Sequence, residues 1–241
     1  MEPEDVRSDE LTLRGDEAKH LSHVLRAKVG DVFFAIDGTG RKYRSVIQAI
    51  DSKSIRAMIS SITRLENEPF AQIMLAQGIC RPNKMDDIIE RGTEVGVVSF
   101  CFYYSEKAYG HMVEEPGTAR KIIRLERVAR AAAKQCKRSL IPSIEPLMPF
   151  AEVLRLRNQY DMAMVAAIDP KARPLGDQIA GSPNVKKILL LVGPESGLTD
   201  EETMAAINAG FLPVSFGPRR LRTETAGVIF PALVLSLLGD L

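Results

Sequence analysis

Two apolar runs near the end of the chain break at the same kind of turn, and this repeat constrains the fold most strongly. Residues 188–192 are followed at once by Gly193-Pro194, and residues 211–216 by Gly217-Pro218. In each case the turn leads into residues that favour a helix start. A short apolar run, a tight turn and a helix are typical of neighbouring strands in a parallel sheet. Ligands of open α/β sheets bind at the carboxyl ends of such strands, so the pattern predicts a binding site built from the two turns.

The residues from about 70 onward alternate between predicted strands and helices, as in a parallel sheet covered on both faces. Residues 161–168 form a further predicted strand, which ends at Asp169-Pro170 and brings a third turn to the same edge. Residues 1–68 instead show short strand-like runs joined by Gly and Asp turns, which favour a small β-barrel. We place the domain boundary near Pro69, after an acidic stretch. The predicted fold class is α/β, with a small barrel over residues 1–68 and a parallel-sheet domain over residues 70–241.

Composition and motif spacing argue against several classes of protein. The 32 basic and 31 acidic residues give a net charge of +1, which neither requires nor forbids nucleic acid. The three cysteines are far apart, so no disulfide framework is expected and a reducing cytoplasm is the expected location. His20 and His23 have helical spacing but no third ligand, so no metal site is predicted. The longest apolar stretch, residues 228–238, contains Pro231 and is too short to span a bilayer, so no membrane association is expected.

The strongest charge asymmetry lies in the long predicted helix, residues 116–138. From residue 119 to residue 138 the chain has eight basic residues and one acidic residue, Glu126. The basic side chains recur at helical spacing opposite an apolar stripe, which is typical of a nucleic-acid-binding face. A second basic group, Arg41, Lys42 and Arg44, follows a predicted hairpin turn. There, phosphate binding and an ordinary solvated hairpin tip explain the charges equally well.

The sequence also limits which ligand the turns can hold. Neither GxGxxG nor GxxxxGK[ST] is present, so a Rossmann dinucleotide site or a P-loop would lack its phosphate cradle. No histidine lies beside a GxSxG motif, so a Ser-His-Asp triad is not indicated. Glycine permits close approach of the backbone, and the residues alone therefore predict only a nucleotide-like ligand. Arg91 and Glu94, in a predicted helix, could reach that ligand or form an exposed ion pair.

The two turns and the residues after them resemble a known enzyme family. Residues 191–197, with Thr199 and Glu202, and residues 217–226 are similar to the paired C-terminal motifs of the SPOUT RNA methyltransferases. More narrowly, they resemble the RsmE family, the uridine N3-methyltransferases of small-subunit ribosomal RNA. The Leu-Arg-Thr-Glu-Thr-Ala run at residues 221–226 is the most specific part. Similar segments extend the likeness over nearly the whole chain.

The resemblance implies a PUA-like N-terminal domain, a SPOUT domain with a trefoil knot, a homodimer, S-adenosylmethionine as cofactor, and ribosomal RNA or the small ribosomal subunit as partner. The cofactor site that it implies consists of Ala166, Leu191, Gly193, Pro194, Gly197, Phe216, Gly217, Leu221, Arg222, Thr223, Thr225 and Ala226. Together with the basic surfaces, it predicts RNA contacts at Arg26, Arg41, Lys42, Arg44, Arg120, Arg124, Arg127, Arg130, Lys134 and Arg138.

The chemistry of uracil N3 suggests roles for three further side chains. When N3 loses its proton, negative charge develops on the flanking carbonyl oxygens, and a guanidinium is suited to stabilise it. We expect Arg222 to do this, with Arg91 as the second candidate. Glu224 is expected to orient the arginine or to accept the proton, or else only to interact with the start of a helix.

The sequence departs from the family pattern at three residues, and it also leaves two alternative functions open. Ser196 and Lys137 stand where the family usually has glycine, and Pro231 lies in a helix that is usually continuous. One alternative is a related SPOUT enzyme that acts on ribose or on transfer RNA. The other is a non-catalytic RNA-binding assembly protein.

Overall fold

The computed structural model describes residues 1, 3–106, 118–167, 172–180 and 185–241. These residues form two compact units, Met1–Glu68 with Ala133–Ile141, and Pro69–Ala132 with Pro142–Leu241. The first unit therefore adds residues 133–141 to those predicted for the N-terminal domain. The turn predicted at Asp169-Pro170 and the predicted start of the long helix at Pro116 lie outside the described residues.

The first unit is built on an antiparallel sheet. Its strands are β1 (Val6–Arg7), β2 (Glu10–Arg14), β3 (Val32–Ile36), β4 (Arg41–Ile50) and β5 (Ser54–Arg64), in the order β1-β2-β5-β4-β3. Alternation along β4 buries Tyr43 and Ile47 and turns Lys42 and Arg44 to the other face. The short helix α1 (Gly15–Lys19) continues into a π-helical turn, His20–Val24. The core of this unit thus lies on one face of the sheet.

A buried ion pair fixes residues 133–141 within the first unit. Arg138 Nη2 lies 2.8 Å from Glu68 Oε2, and the two side chains are only 3% and 5% exposed. The other oxygen of Glu68 accepts hydrogen bonds from the backbone N–H groups of Ser139 at 2.7 Å and Leu140 at 2.8 Å. Loss of either charged partner would leave a buried charge without its counterion.

The second unit is built on a parallel sheet, as predicted from the alternation of strands and helices. Its strands are β6 (Gln72–Gly78), β7 (Ser99–Tyr104), β8 (Ser143–Ile144), β9 (Met148–Pro149), β10 (Met162–Ala166), β11 (Arg173–Pro174), β12 (Lys187–Val192) and β13 (Leu212–Ser215). Its helices are α2 (Pro82–Val95), α4 (Phe150–Leu156), α5 (Leu175–Ile179), α6 (Asp200–Asn208) and α7 (Thr223–Leu237), and α3 (Thr118–Gln135) has its last residues in the first unit. The strand order is β11-β13-β10-β12-β6-β7-β8, with β9 beside β7.

The register of this sheet brings the carboxyl ends of its central strands to one edge. Leu191 of β12 pairs with Val165 of β10, and Val165 pairs with Pro213 of β13. On the other side, Val192 pairs with Gln77 of β6. All these pairings are parallel, so the turns that follow the strands share one edge. The trefoil knot stays a prediction.

Two of the departures from the family pattern leave the backbone undisturbed, and one does not. Helix α7 continues through the buried Pro231 to Leu237. Ser196 is not among the described non-glycine residues with positive φ, whereas Lys137 has a φ of 63° just after α3 ends. The left-handed conformation that glycine adopts freely is therefore adopted by a lysine at residue 137.

No helix in the described part of the chain is both long enough and apolar enough to cross a membrane. Within the same residues, no cluster of His, Cys, Asp and Glu side chains has the composition of a metal site.

Candidate active site

The turn after β12 is fastened to β6 and α7 by hydrogen bonds. Thr223 Oγ1, at the start of α7, donates to the backbone oxygen of Gly193 at 2.6 Å. Gln77 Nε2, near the end of β6, donates to the same oxygen at 3.0 Å and to Thr223 Oγ1 at 2.8 Å. Gln77 is fully buried, so water does not compete for these bonds. The network brings Gly193 and Thr223, both predicted cofactor residues, into contact.

The backbone of β6 packs directly on this turn. A Cβ atom added at Gly78 would lie 2.5 Å from Pro194 N and 2.6 Å from Pro194 Cδ. Backbone and ring atoms cannot move aside as the tip of a flexible side chain can. Only glycine therefore fits at residue 78 without a shift of the turn.

An ion-pair cluster joins the same turn to α7 and to the start of α2. Lys84 Nζ lies 2.6 Å from Glu195 Oε1 and 3.0 Å from Glu224 Oε2. Arg81 Nε lies 3.8 Å from the same oxygen of Glu195. The side chains of Lys84, Glu195 and Glu224 are 20%, 24% and 18% exposed, so solvent screens these charges only in part. Lys84 therefore acts as a bridge between the two segments that follow β12 and β13.

The cluster sets the protonation states around it. Hydrogen bonding to Glu195 raises the pKa of Lys84 against the opposing effect of desolvation, and Glu224 adds to the rise. Burial alone would raise the pKa of Glu224, but its own backbone N–H and Lys84 outweigh burial and lower that pKa. Burial and Glu195 together raise the pKa of the Cys80 thiol to about 12. Glu224 is thus a stable carboxylate and a weak base, and Cys80 stays a thiol.

The segment after β7 is held at the same edge by Glu202 of α6. Glu202 Oε2 accepts from Ser105 Oγ at 3.0 Å, and Oε1 accepts from the backbone N–H of Glu106 at 2.8 Å. Thr199 and Glu202 also form a capping box at the start of α6. Tyr103 Oη donates to the backbone oxygen of Val192 at 2.9 Å, which fixes the end of β12 to β7.

The turn after β13 is more open. Phe216 packs edge-on against Phe230 of α7, with ring centroids 4.8 Å apart. The N–H of Gly217 donates to Ser215 Oγ at 3.2 Å, within the turn itself. Gly217 and the residues through Arg220 are exposed. Arg222 is also exposed and is the N-cap residue of α7.

The other residues predicted to bind the cofactor lie at the ends of these strands or in the first turns of α7. Leu191, Pro194 and Ala226 are buried, whereas Ala166, Gly197, Leu221 and Thr225 are half-buried. Arg91, the second catalytic candidate, is exposed on α2, about two turns beyond Lys84.

The basic residues predicted to bind RNA fall into two groups. Arg26, Arg41, Arg44, Arg120 and Arg127 are exposed, and Arg130 is half-buried. The others are engaged by carboxylates: Arg124 with Asp86, Lys134 with Glu17, Lys42 with Glu66 and Arg138 with Glu68. Because Arg138 is buried, its charge cannot reach a phosphate from that position, and we leave it out of the RNA surface proposed below.

Sequence reasoning assigned no role to Gln77 or to Lys84. A signal for Gln77 existed, since it is polar within the otherwise apolar end of β6. Lys84 carried no such signal, because a lysine in the first turn of a helix is common on protein surfaces.

Comparison with known proteins identifies the family of this chain. The RNA methyltransferase domain family matches residues 66–235, and the RNA methyltransferase PUA domain family matches residues 13–59. A Buchnera aphidicola protein named Ribosomal RNA small subunit methyltransferase E is 28% identical over 98% of this chain and 92% of its own length. The Synechocystis protein of that name is 29% identical, over 98% of this chain and 76% of its own length.

A solved structure has the same fold over nearly the whole chain. The Ribosomal RNA small subunit methyltransferase E of Neisseria gonorrhoeae, bound to S-adenosyl methionine, superposes with a TM-score of 0.84 and 26% identity. The match covers 95% of this chain and 92% of that chain. The resemblance to the RsmE family seen in the turn residues is thereby confirmed. Since the methyltransferase domain match spans most of its length, the chain belongs to the RNA methyltransferase domain family.

Proposed function

We propose that this chain transfers a methyl group from S-adenosylmethionine to N3 of a uridine in small-subunit ribosomal RNA. The observation that carries the proposal is the hydrogen bond of 2.6 Å from Thr223 Oγ1 to Gly193 O. It joins the turn after β12 to the first residue of α7 and so fixes the residue next to Arg222. The names of the relatives and the bound cofactor of the Neisseria gonorrhoeae protein support methyl transfer from S-adenosylmethionine to small-subunit ribosomal RNA, and the choice of uridine N3 rests on the family resemblance.

The residues at this edge fit such a cofactor. A Cβ atom added at Gly197 or Gly217 would meet no atom within 4 Å, so open space borders both turns and a ligand can approach their backbone groups. The half-buried Phe216 and Leu221 supply apolar surface for the adenosine part, the buried Leu191 packs in the core behind the turn, and the remaining predicted residues complete the site. When bound, the cofactor supplies an electrophilic methyl group.

Arg222 and Glu224 have different tasks in this proposal. The Arg222 guanidinium stabilises the negative charge that develops on the uracil carbonyl oxygens as the N3 proton leaves to water. The lowered pKa of Glu224 argues against proton acceptance, and its pairing with Lys84 supports a positioning role. Arg91 stays the second candidate for stabilising charge.

The proposed RNA contacts are those predicted from the sequence without Arg138, namely Arg26, Arg41, Lys42, Arg44, Arg120, Arg124, Arg127, Arg130 and Lys134. The proposed partner is ribosomal RNA or the small ribosomal subunit, and the proposed assembly is a homodimer in the cytoplasm. These parts of the proposal rest on the family resemblance and on the basic character of α3.

The experiment is methylation of small ribosomal subunits that lack the modification, with isotopically labelled cofactor and mass spectrometry of the digested RNA. Arg222→Ala should lower turnover roughly 100- to 1,000-fold, the range seen when one donor to a developing oxyanion is removed. Its affinity for S-adenosylmethionine, measured by calorimetry, should change only a fewfold.

Arg220→Ala is the matched control, since it removes another exposed guanidinium from the same segment. It should keep nearly full turnover. Label on a ribose or on another base would point to a related enzyme of different specificity. A chain that fails to bind the cofactor would point to a non-catalytic protein.

A further inference from the structure

An exposed aromatic ring lies on the outer face of the first unit's sheet. Phe34 belongs to β3, which is at the edge of the sheet, and is 62% exposed. In the register of β3 and β4, Phe34 pairs with Arg44, and Val32 pairs with Val46. Paired residues present their side chains to the same face, so the ring and the guanidinium are neighbours. Val32 is 47% exposed on the same face, and contiguous exposed apolar side chains often mark a binding site.

Basic side chains of the central strands share the face that carries Phe34. On that face, β3, β4 and β5 contribute Lys42, Arg44 and Arg56 and no aspartate or glutamate, whereas Arg41 and Arg64 pair with each other on the opposite face. Arg44 is exposed, and its Nη1 donates to Ser60 Oγ at 3.0 Å, which orients the guanidinium on this surface. The ring therefore has an exposed guanidinium as its immediate neighbour, and that charge attracts a phosphate.

The orientation of the ring is fixed from one side. Lys42 Nζ lies 5.2 Å from the centroid of the Phe34 ring, within the range of a cation–π contact. Lys42 is itself held by Glu66 and is only 11% exposed. One ring face is thus covered by a lysine that is already paired, and the solvent-accessible part of the ring remains available to a ligand.

We propose that Phe34 is a stacking platform for an unpaired base of RNA, and that Arg44 contacts a phosphate beside that base. The inference rests on the proposed function in taking RNA as the substrate, and it adds a base contact to the phosphate contacts proposed above. Aromatic rings set among basic side chains bind single-stranded nucleic acid in this way because every base has a stacking face.

Charge complementarity favours RNA over the other occupants of an exposed sheet face. A second copy of this chain would present the same positive surface and be repelled. An acidic protein segment would satisfy the arginines but would leave the ring without a flat partner. An unpaired nucleotide satisfies both features, since it carries one aromatic base and one phosphate.

The test uses the full chain and a single-stranded RNA oligonucleotide that carries 2-aminopurine, whose fluorescence is quenched by stacking. Phe34→Ala should weaken binding about 5- to 100-fold, the range that corresponds to one stacked base. It should also abolish the quenching that the unaltered chain produces. Phe34→Tyr should restore both signals, whereas Phe34→Leu, which keeps apolar surface without a π-face, should not. Arg44→Ala should lower the slope of log affinity against log salt by about one.

Phe70→Ala is the matched control. Phe70 is 67% exposed and has Lys186 Nζ 5.4 Å from its ring centroid, but it belongs to the second unit and is outside the proposed platform. It should bind the oligonucleotide as the unaltered chain does.

Three outcomes would overturn the platform: unchanged RNA affinity in Phe34→Ala, equal losses in Phe34→Ala and Phe70→Ala, or a change of oligomeric state in Phe34→Ala. The last result would assign the face to another copy of the chain. Failure of the unaltered chain to bind S-adenosylmethionine or to methylate subunits would instead refute the proposed function, because the oligonucleotide test needs neither.

Discussion

The turns after β12 and β13 share a Gly-Pro start but differ in what holds them. In the first turn, the backbone oxygen of Gly193 accepts from Gln77 and Thr223, and Glu195 pairs with Lys84. In the second, Gly217 bonds to Ser215 within the turn, and Gly217 through Arg220 are exposed. The first turn is thus tied to other elements by the buried side chains of Gln77 and Thr223, whereas the second is held by a bond within the turn itself.

Two turns that begin with the same sequence pattern can therefore differ in local stability although they lie at the same edge of the sheet. A segment with many buried partners opens only when much of the unit unfolds, whereas a segment with local bonds opens at low cost. We expect changes at the first turn to lower the stability of the unit. Changes at the second turn should alter ligand affinity with little loss of stability.

The largest expected effect comes from Gly78→Ala. The added methyl group would lie 2.5 Å from Pro194 N, and relief of that clash must displace the first turn from β6. We expect a loss of about 3 kcal/mol in the free energy of unfolding, measured by urea denaturation, with weaker cofactor binding. Gly176→Ala, where an added Cβ meets nothing within 4 Å, is the control and should cost little. Equal stability of the two variants would show that the first turn is not rigidly packed.

A smaller effect is expected from Lys84→Met, which leaves Glu195 and Glu224 without the ammonium that bridges them. We expect a loss of about 1.5 kcal/mol at neutral pH, between the values for exposed and buried pairs.

The loss in Lys84→Met should depend on pH in a defined direction. The pKa of Glu224 is lowered, so its stabilising effect is present above its usual value of 4.5 and is lost as pH falls through the folded-state pKa. The pKa of Lys84 is raised, so its effect is present below 10.5 and is lost as pH rises through the folded-state pKa. The difference between Lys84→Met and the unaltered chain should therefore shrink in acid. A difference that stays constant down to strongly acidic pH would contradict the ion-pair bridge.

The smallest effect is expected from Gly217→Ala in the second turn. Gly217 has a φ of 97°, which an alanine adopts only with strain, but an added Cβ meets no atom within 4 Å. The cost in stability should be about 1 kcal/mol, the lower end of the range for an alanine in this conformation, because the exposed turn can relax. The affinity for S-adenosylmethionine, measured by calorimetry, should fall more clearly than stability does. A loss of stability as large as that of Gly78→Ala would remove the distinction between the two turns.

Much of the fold could be predicted from the sequence because the strands of the second unit are continuous apolar runs. Such runs are typical of parallel strands buried on both faces, and β6, β10 and β12 are such strands. The two turns followed from glycine and proline directly after these runs. The local sequence was sufficient to predict these strands and turns because the same residues determine both the backbone conformation and the burial.

The contacts that complete the site could not be predicted in this way. Lys84 and Glu195 are more than a hundred residues apart, and nothing local in either segment specifies the pairing. For Arg138, by contrast, a role on the surface was predicted, whereas the side chain is buried against Glu68. Helical spacing placed it on the basic face of α3, but the helix ends at Gln135 and the positive φ of Lys137 turns the chain. Beyond that turn helical spacing no longer applies, and Arg138 points to Glu68.

The Glu68–Arg138 pair also bears on the order in which the two units can fold during synthesis. Residues 133–141 complete the first unit, yet they emerge from the ribosome only after residues 69–132, which belong to the second. During synthesis Glu68 therefore has no ion-pair partner until Arg138 has been made. Domains usually fold as units from the N-terminus onward. Here the N-terminal unit can be completed only after residues 133–141 have been made. A fragment that ends at Glu68 would lack those residues and the ion pair with Arg138.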